Sequence, residues 1–208
     1  MTNAEPETGV HLFNGVDLTG WRGQIEEYWS VDGDAIKARN DDPVATSTYL
    51  FTECTFRSFR LILEVRQTRG PGLSTMHSAV AALGEQITDR DNEFGFRGPL
   101  LMFCGDWGLF DANRRARVYP AGQQGSWEPS AERIGEWNLI EILVLADRIR
   151  LVANAELIMD FTDRPGILTE GPIGLQLHAN DQPQEFRFRG LSLTENPENR
   201  LLTHLPRP

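Results

Sequence analysis

The sequence predicts an all-β protein, a two-sheet antiparallel β-sandwich, on three observations. Short apolar–polar alternations recur along the 208 residues, nineteen glycines and twelve prolines punctuate them, and no long run of helix formers intervenes. About a dozen short strands in a chain of this size pack as two sheets, a sandwich or jelly roll, with helix confined to short turns. One substantial core is expected, hence a single domain over residues 11–195. It follows an acidic leader over 1–10 and precedes a polar, proline-bearing surface tail over 196–208, in which His204 is expected to be solvated.

The elements follow in order. "YWSVDGDAIKAR" reads as a hairpin turning at Asp32-Gly33, which supplies the positive φ. "SFRLILEVRQT" alternates Leu61, Leu63 and Val65 against Ile62, Glu64 and Arg66, one face core and the other wet. "STMHSAVAALG" and "NEFGFRG" are strands whose small residues allow close approach by another surface. "EWNLIEILVLADRIRLVANAELIMDF" is broken at "ADR" and "NAE" into three strands of ordinary length.

"GPIGLQLHANDQPQEFRFRG" raises the question of function, because Leu175 and Leu177 point to one side while Gln176 and His178 point together to the other. A four-residue turn over 180–183 would place His178 opposite Glu185, Leu177 opposite Phe186, Gln176 opposite Arg187 and Leu175 opposite Phe188. Polar then meets polar and apolar meets apolar, an agreement that a one-residue slip destroys. A carboxylate beside an imidazole raises its pKa and orients it, as a general base requires, so His178 and Glu185 are candidate catalytic residues, with Gln176 and Arg187 beside them for substrate. The plain alternative is a wet ladder of cross-strand pairs. Glu64 and Arg66 on the wet face of 58–68 are further substrate-binding candidates, and Trp107 and Trp127 offer stacking surface; Trp107, in "GDWG" after a buried strand, is expected to border a concave pocket.

Several classes fall away. A formal charge of −10 and a pI of about 4.9 oppose phosphate backbones and anionic membranes, and the one basic cluster, "NRRARVY", is too short to reverse that field. No P-loop, dinucleotide fingerprint or nucleophile elbow is present. "DRDNEFG" lacks the glycine and the acidic residue that an EF-hand calcium loop needs at its sixth and twelfth positions. The four histidines show no ligand spacing, so a divalent metal would have to be assembled from different strands. Two cysteines make no disulfide framework, and "MTNAEPETG" has neither a basic start nor an apolar stretch, which predicts a cytoplasmic location.

"HLFNGVDLTGW", "HSAVAALG", "GEWNLIEI" and "GPIGLQLHANDQPQEFRFRGLSL" occur in an order that resembles the 3-keto-disaccharide hydrolase domain family through nearly the whole chain. The resemblance implies a concanavalin A-like jelly roll whose curved sheet presents a polar face to carbohydrate. It also implies cleavage of glycosides oxidised at C3, where the ketone acidifies the C2 hydrogen and lets a general base start elimination of the C1 substituent. A divalent metal or hydrogen-bond donors at the ketone oxygen would stabilise the enolate. Gln176 and His178 match the family's G-L-Q-L-H strand, and Arg187 lies in its F-R region. "GPLLMFCGDWGLFDANRR" keeps Trp107, Gly108 and Asp111 of one family branch, which adds Asp111 to the catalytic candidates. The same segments depart from the family at Leu83, Leu101, Phe103, Phe110 and Ala112, and predict a dry face lined by Ala79, Ala81, Leu83, Leu101 and Phe103. Three functions follow: a hydrolase or lyase on an oxidised glycoside, including one with an apolar aglycone; an isomerase- or cyclase-type enzyme acting on an apolar metabolite in the same cleft; and a non-catalytic carbohydrate-binding module.

Overall fold

The computed structural model describes residues 9–75, 78–103, 109–111, 116–119, 131–162 and 170–205, with 109–111 and 116–119 as backbone only. Seventeen strands run through them: β1 (Val10–His11), β2 (Trp21–Arg22), β3 (Trp29–Asp32), β4 (Ala35–Asn40), β5 (Thr48–Phe56), β6 (Phe59–Arg69), β7 (Ala79–Ala81), β8 (Glu85–Asp89), β9 (Asn92–Arg97), β10 (Pro99–Met102), β11 (Leu109–Asp111), β12 (Ala116–Tyr119), β13 (Asn138–Leu145), β14 (Arg148–Ala153), β15 (Glu156–Thr162), β16 (Gly171–Leu177) and β17 (Gln184–Glu195). Helix among the described residues is limited to α1 (Ile25–Tyr28), the 3-10 turn Pro71–Leu73, and single 3-10 residues at Thr75 and Ala131. The first sheet runs β15-β14-β13-β6-β17-β4-β3 with β1 also on β17, the second runs β12-β11-β10-β7-β16-β5-β2, and β8 and β9 form a separate hairpin.

Alternation in the sequence becomes the core directly. Leu61, Leu63 and Val65 of β6, Ile140, Ile142 and Val144 of β13, and Phe186 and Phe188 of β17 are fully buried against Leu50, Val80, Leu101, Leu175 and Leu177 of the second sheet. The apolar tract over 136–161 forms three strands as its breaks predict; Asn154 and Ala155 both take positive φ between Ala153 and Glu156, the geometry of a two-residue hairpin turn. The first hairpin turns one residue later than expected. Asp32 pairs with Ala35, so Gly33 and Asp34 make the turn, with Gly33 at φ +63° in the first central position.

The expected hairpin of 171–177 with 184–195 does not form. β16 sits in the second sheet between β7 and β5, and β17 in the first between β6 and β4, so the chain over 178–183 crosses from one sheet to the other. Asn180 fixes the crossing by exchanging both backbone hydrogen bonds with Val44, at 2.9 and 3.0 Å. The polar-with-polar agreement has another cause. Leu175, Leu177, Phe186 and Phe188 face one shared core from opposite sides, which imposes on each strand the alternation that a hairpin would need. The intended partners are therefore replaced: Gln176 lies opposite Tyr49, and Arg187 opposite Lys37 and Arg66.

Beyond β17 the chain lies on the surface but is fixed there. Glu141, fully buried on the outer side of β13, accepts hydrogen bonds from Arg60 Nε at 3.0 Å, Leu202 N at 2.9 Å, and Thr203 N and Oγ1 at 2.7 and 2.8 Å. Arg60 also donates to the carbonyls of Glu198 and Arg200, and Nδ1 of His204 lies 3.0 Å from the Ala155 carbonyl. The tail is thus wrapped around a buried ion pair, and His204, expected in solvent, is only partly exposed.

Candidate functional site

The outer face of the second sheet carries Gln176. Its neighbours follow from register: Tyr49 opposite it on β5, Phe51 opposite Gly174, Ala81 on β7 opposite Gly174, and Leu100 and Met102 on β10 opposite Ala81 and Ala79. Phe94 and Phe96 of the β8–β9 hairpin fold against this face, with ring centroids of Tyr49 and Phe51 at 5.5 Å and of Tyr49 and Phe96 at 5.7 Å. The hairpin is tied down by Asn92 Nδ2 to the Ser47 carbonyl and by Arg22 Nε to Gln86, each at 2.9 Å. Glycine is required at 174, where a Cβ would come within 2.7 Å of the Phe51 ring.

Within this apolar floor Gln176 is 2% exposed. Its Nε2 donates to the Tyr49 hydroxyl at 3.0 Å, and its Oε1 has no hydrogen-bond partner. A buried acceptor left unmet costs about 1–3 kcal/mol. Burial pushes the Tyr49 phenol well above its ordinary pKa, and the ring stays neutral. The dry face is present with different members. Ala79 and Ala81 line it, but Leu101, opposite Val80, shares that residue's inward side, and Leu83 and Phe103 also join the inter-sheet core; Leu100 and Met102 take their places outside.

Glu185, Arg187, Glu64 and Arg66 lie on the opposite outer face, on the first sheet, with about 10 Å of packed core between the two sheets. There they form a ladder of charge pairs, Arg187 with Asp32 at 2.8 Å and Glu185 at 3.1 Å and Arg189 with Glu64 at 2.8 Å, while Arg66 Nε donates to the Gly135 carbonyl at 2.7 Å. The Arg189 guanidinium stacks 4.1 Å above the Trp137 ring. Burial pushes the Glu185 carboxyl up, but hydrogen bonds from Thr68, at 2.6 Å, and Arg187, with the charges of Arg187 and Lys37, outweigh it and hold the pKa below the usual glutamate value. A carboxylate so stabilised is a weak base at neutral pH, which fits a ladder better than catalysis.

The structure therefore separates the candidates. His178 is half-buried just past the end of β16, where its carbonyl accepts a 2.5 Å hydrogen bond from Gln184 Nε2, and it has no cross-strand pairing with Glu185. Asp111 occupies the second sheet opposite Pro99; three strands across and three residues along, its backbone is roughly 17 Å from that of Gln176. Trp107 and Trp127 lie outside the described residues. Tyr49 is the neighbour that sequence reasoning missed; its one signal is "TYLF", which places Tyr49 and Phe51 together on one side of a strand. Among the described residues no three His, Cys, Asp or Glu side chains converge to hold a metal ion. No helix among them is long and apolar enough to cross a membrane.

A family model, the 3-keto-alpha-glucoside-1,2-lyase-like domain, matches residues 8–194. The chain belongs to this 3-keto-disaccharide hydrolase family. The fold agrees with solved structures at low identity. A candidate glycosyl hydrolase from Parabacteroides distasonis ATCC 8503 aligns with a TM-score of 0.60 at 18% identity, over 89% of this chain and 93% of that one. The carbohydrate-binding module CBM66 from Bacillus subtilis gives 0.54 at 14%, over 85% and 96%. The exoplasmic/lumenal domain of VIP36, in a form bound to Ca2+ and Man3GlcNAc, gives 0.55 at 10%, over 89% and 87%. No curated protein matches the sequence. The family motif G-L-Q-L-H thus runs along β16, an inner strand of the second sheet, and ends on His178 just beyond it, with its glutamine on that sheet's dry face.

Proposed function

We propose that the chain cleaves glycosides oxidised at C3, holding the sugar at the His178 end of β16 with an apolar aglycone over Ala79, Ala81, Leu100 and Met102. The observation that carries this is the buried, unpartnered Oε1 of Gln176, the one acceptor without a donor among otherwise apolar side chains, which a sugar hydroxyl would satisfy. Exposure rises from fully buried Leu177 to half-exposed His178, Ala179 and Asn180, so a ligand enters from that end. His178 then removes the C2 proton, made acidic by the adjacent ketone, and the electron pair becomes the enolate. As the ketone re-forms, the C2 electrons make a C1=C2 double bond, the C1–O bond breaks, and the departing oxygen takes up the proton that His178 accepted. Water added across C1=C2 completes hydrolysis.

A second reading, a non-catalytic sugar-binding module, is favoured by the ion pairs that occupy Glu64 and Glu185. Either way the dry floor selects the ligand. At saturating concentration, 3-keto-glycosides with aryl aglycones are expected to raise Tm by about 5 °C, those with hydroxylated aglycones by much less, and Gln176→Leu is expected to abolish the shift. Equal shifts for both aglycones, or an unchanged response in Gln176→Leu, would remove this face from the account.

A further inference from the structure

A cavity of about 430 Å3 opens at the β3–β4 edge of the first sheet, between α1 and the turn after β4, away from the sheet that carries Gln176. This volume falls in the range of small-molecule sites. Donors and acceptors alternate around it. Arg39 reaches Asp41 at 2.9 Å and Glu185 at 3.8 Å, Lys37 reaches Asp32 at 3.8 Å, and Glu26, Glu27 and Asp42 add further carboxylates. Tyr28 supplies a ring and a hydroxyl; burial, and then its hydrogen bond to Glu27, push its pKa up to about 12, so it remains neutral. Two lining residues keep a buried polar atom without a partner: Trp29 Nε1, a donor, and Asn40 Oδ1, an acceptor, in side chains 4% and 3% exposed.

We propose that this cavity is a second carbohydrate site, taking one neutral sugar ring. Four carboxylates against two cations in the lining repel an anion. A cation brings no acceptor, so it cannot meet an orphaned donor and an orphaned acceptor as a pair. Hydroxyl groups both donate and accept, so they bridge such pairs without breaking the charge balance, and the orphaned indole N–H and amide oxygen are the complement that a hydroxyl satisfies. The site goes beyond the proposed cleavage and does not depend on it. Two sugar sites on different sheets would let the domain hold a longer or branched glycan at one point while acting at another.

An NMR titration of the 15N-labelled chain tests this, with the Trp29 indole and Asn40 side-chain amide reporting on the cavity and the Gln176 side-chain amide on the other face. Methyl α-glucoside and methyl β-galactoside, inorganic phosphate and spermidine are each added to about 50 mM. The expected result is saturable shifts of Trp29 and Asn40 with a neutral glycoside at about millimolar affinity. These shifts are lost in Ser30→Phe, which fills the cavity from an exposed strand position, and kept in Gln176→Leu. No shift with either glycoside, or a larger response to phosphate or spermidine, overturns the proposal. The Gln176 signal reads the first site separately, so failure of one is distinguishable from failure of the other.

Discussion

Replacing Glu141 by alanine is expected to destabilise the protein by about 3–5 kcal/mol, because removing one partner of a buried ion pair leaves the other charge without compensation. Arg60 is 1% exposed and Glu141 fully buried, so water cannot substitute. The change also strips acceptors from the backbone N–H groups of Leu202 and Thr203, releasing the C-terminal segment from the sheet. With a urea slope of about 2 kcal/mol/M the midpoint would fall by about 2 M at unchanged slope. Arg60→Met combined with Glu141→Leu should recover part of the loss, since no charge is then stranded, but not all, since the tail's donors stay unmet. A loss under about 1 kcal/mol for Glu141→Ala would mean that the pair is hydrated and the tail only loosely held.

His178→Ala carries the largest expected effect on activity. If His178 takes the C2 proton, its loss should lower kcat for a 3-keto-glycoside by at least about a hundredfold, the usual scale of general acid–base catalysis, with KM changed little because Gln176 still anchors the sugar. Stability should move by no more than about 1 kcal/mol, since the side chain is half-buried beyond the end of β16. Glu185→Gln, on the opposite outer face, should leave kcat within a few-fold. Turnover of His178→Ala close to wild type would return the residue to the scaffold.

The sandwich was legible because strand period and turn chemistry are local. Leu61, Leu63 and Val65 declare a buried face by spacing alone, and "ADR" and "NAE" mark breaks that the hairpins of β13, β14 and β15 use. The site was only partly legible, because which strands pair is not local. Gln176 stands out in its strand motif, and its setting is as dry as the neighbouring sequence implies. Glu185 and Arg187 were joined to it by a register argument that any two strands facing a common core satisfy, whether they pair or lie in opposite sheets. A crossing of six residues, held by the bridge of Asn180 to Val44, looks in sequence like a hairpin loop. The grip of Glu141 on the tail left no trace in spacing, because its partners lie 61 and 62 residues away.

Deuterium exchange at C2 of an aryl 3-keto-glycoside, followed by NMR in D2O with the wild-type protein, tests the central claim most directly, since proton abstraction at C2 on the Gln176 face is the step on which the rest depends. The expected result is loss of the C2 proton signal together with aglycone release, both far faster than in buffer, both slowed by at least about a hundredfold in His178→Ala and weakened in Gln176→Leu. An intact glycoside whose C2 proton persists, while the same sample shows saturable binding at Gln176, would contradict cleavage and leave a sugar-binding module.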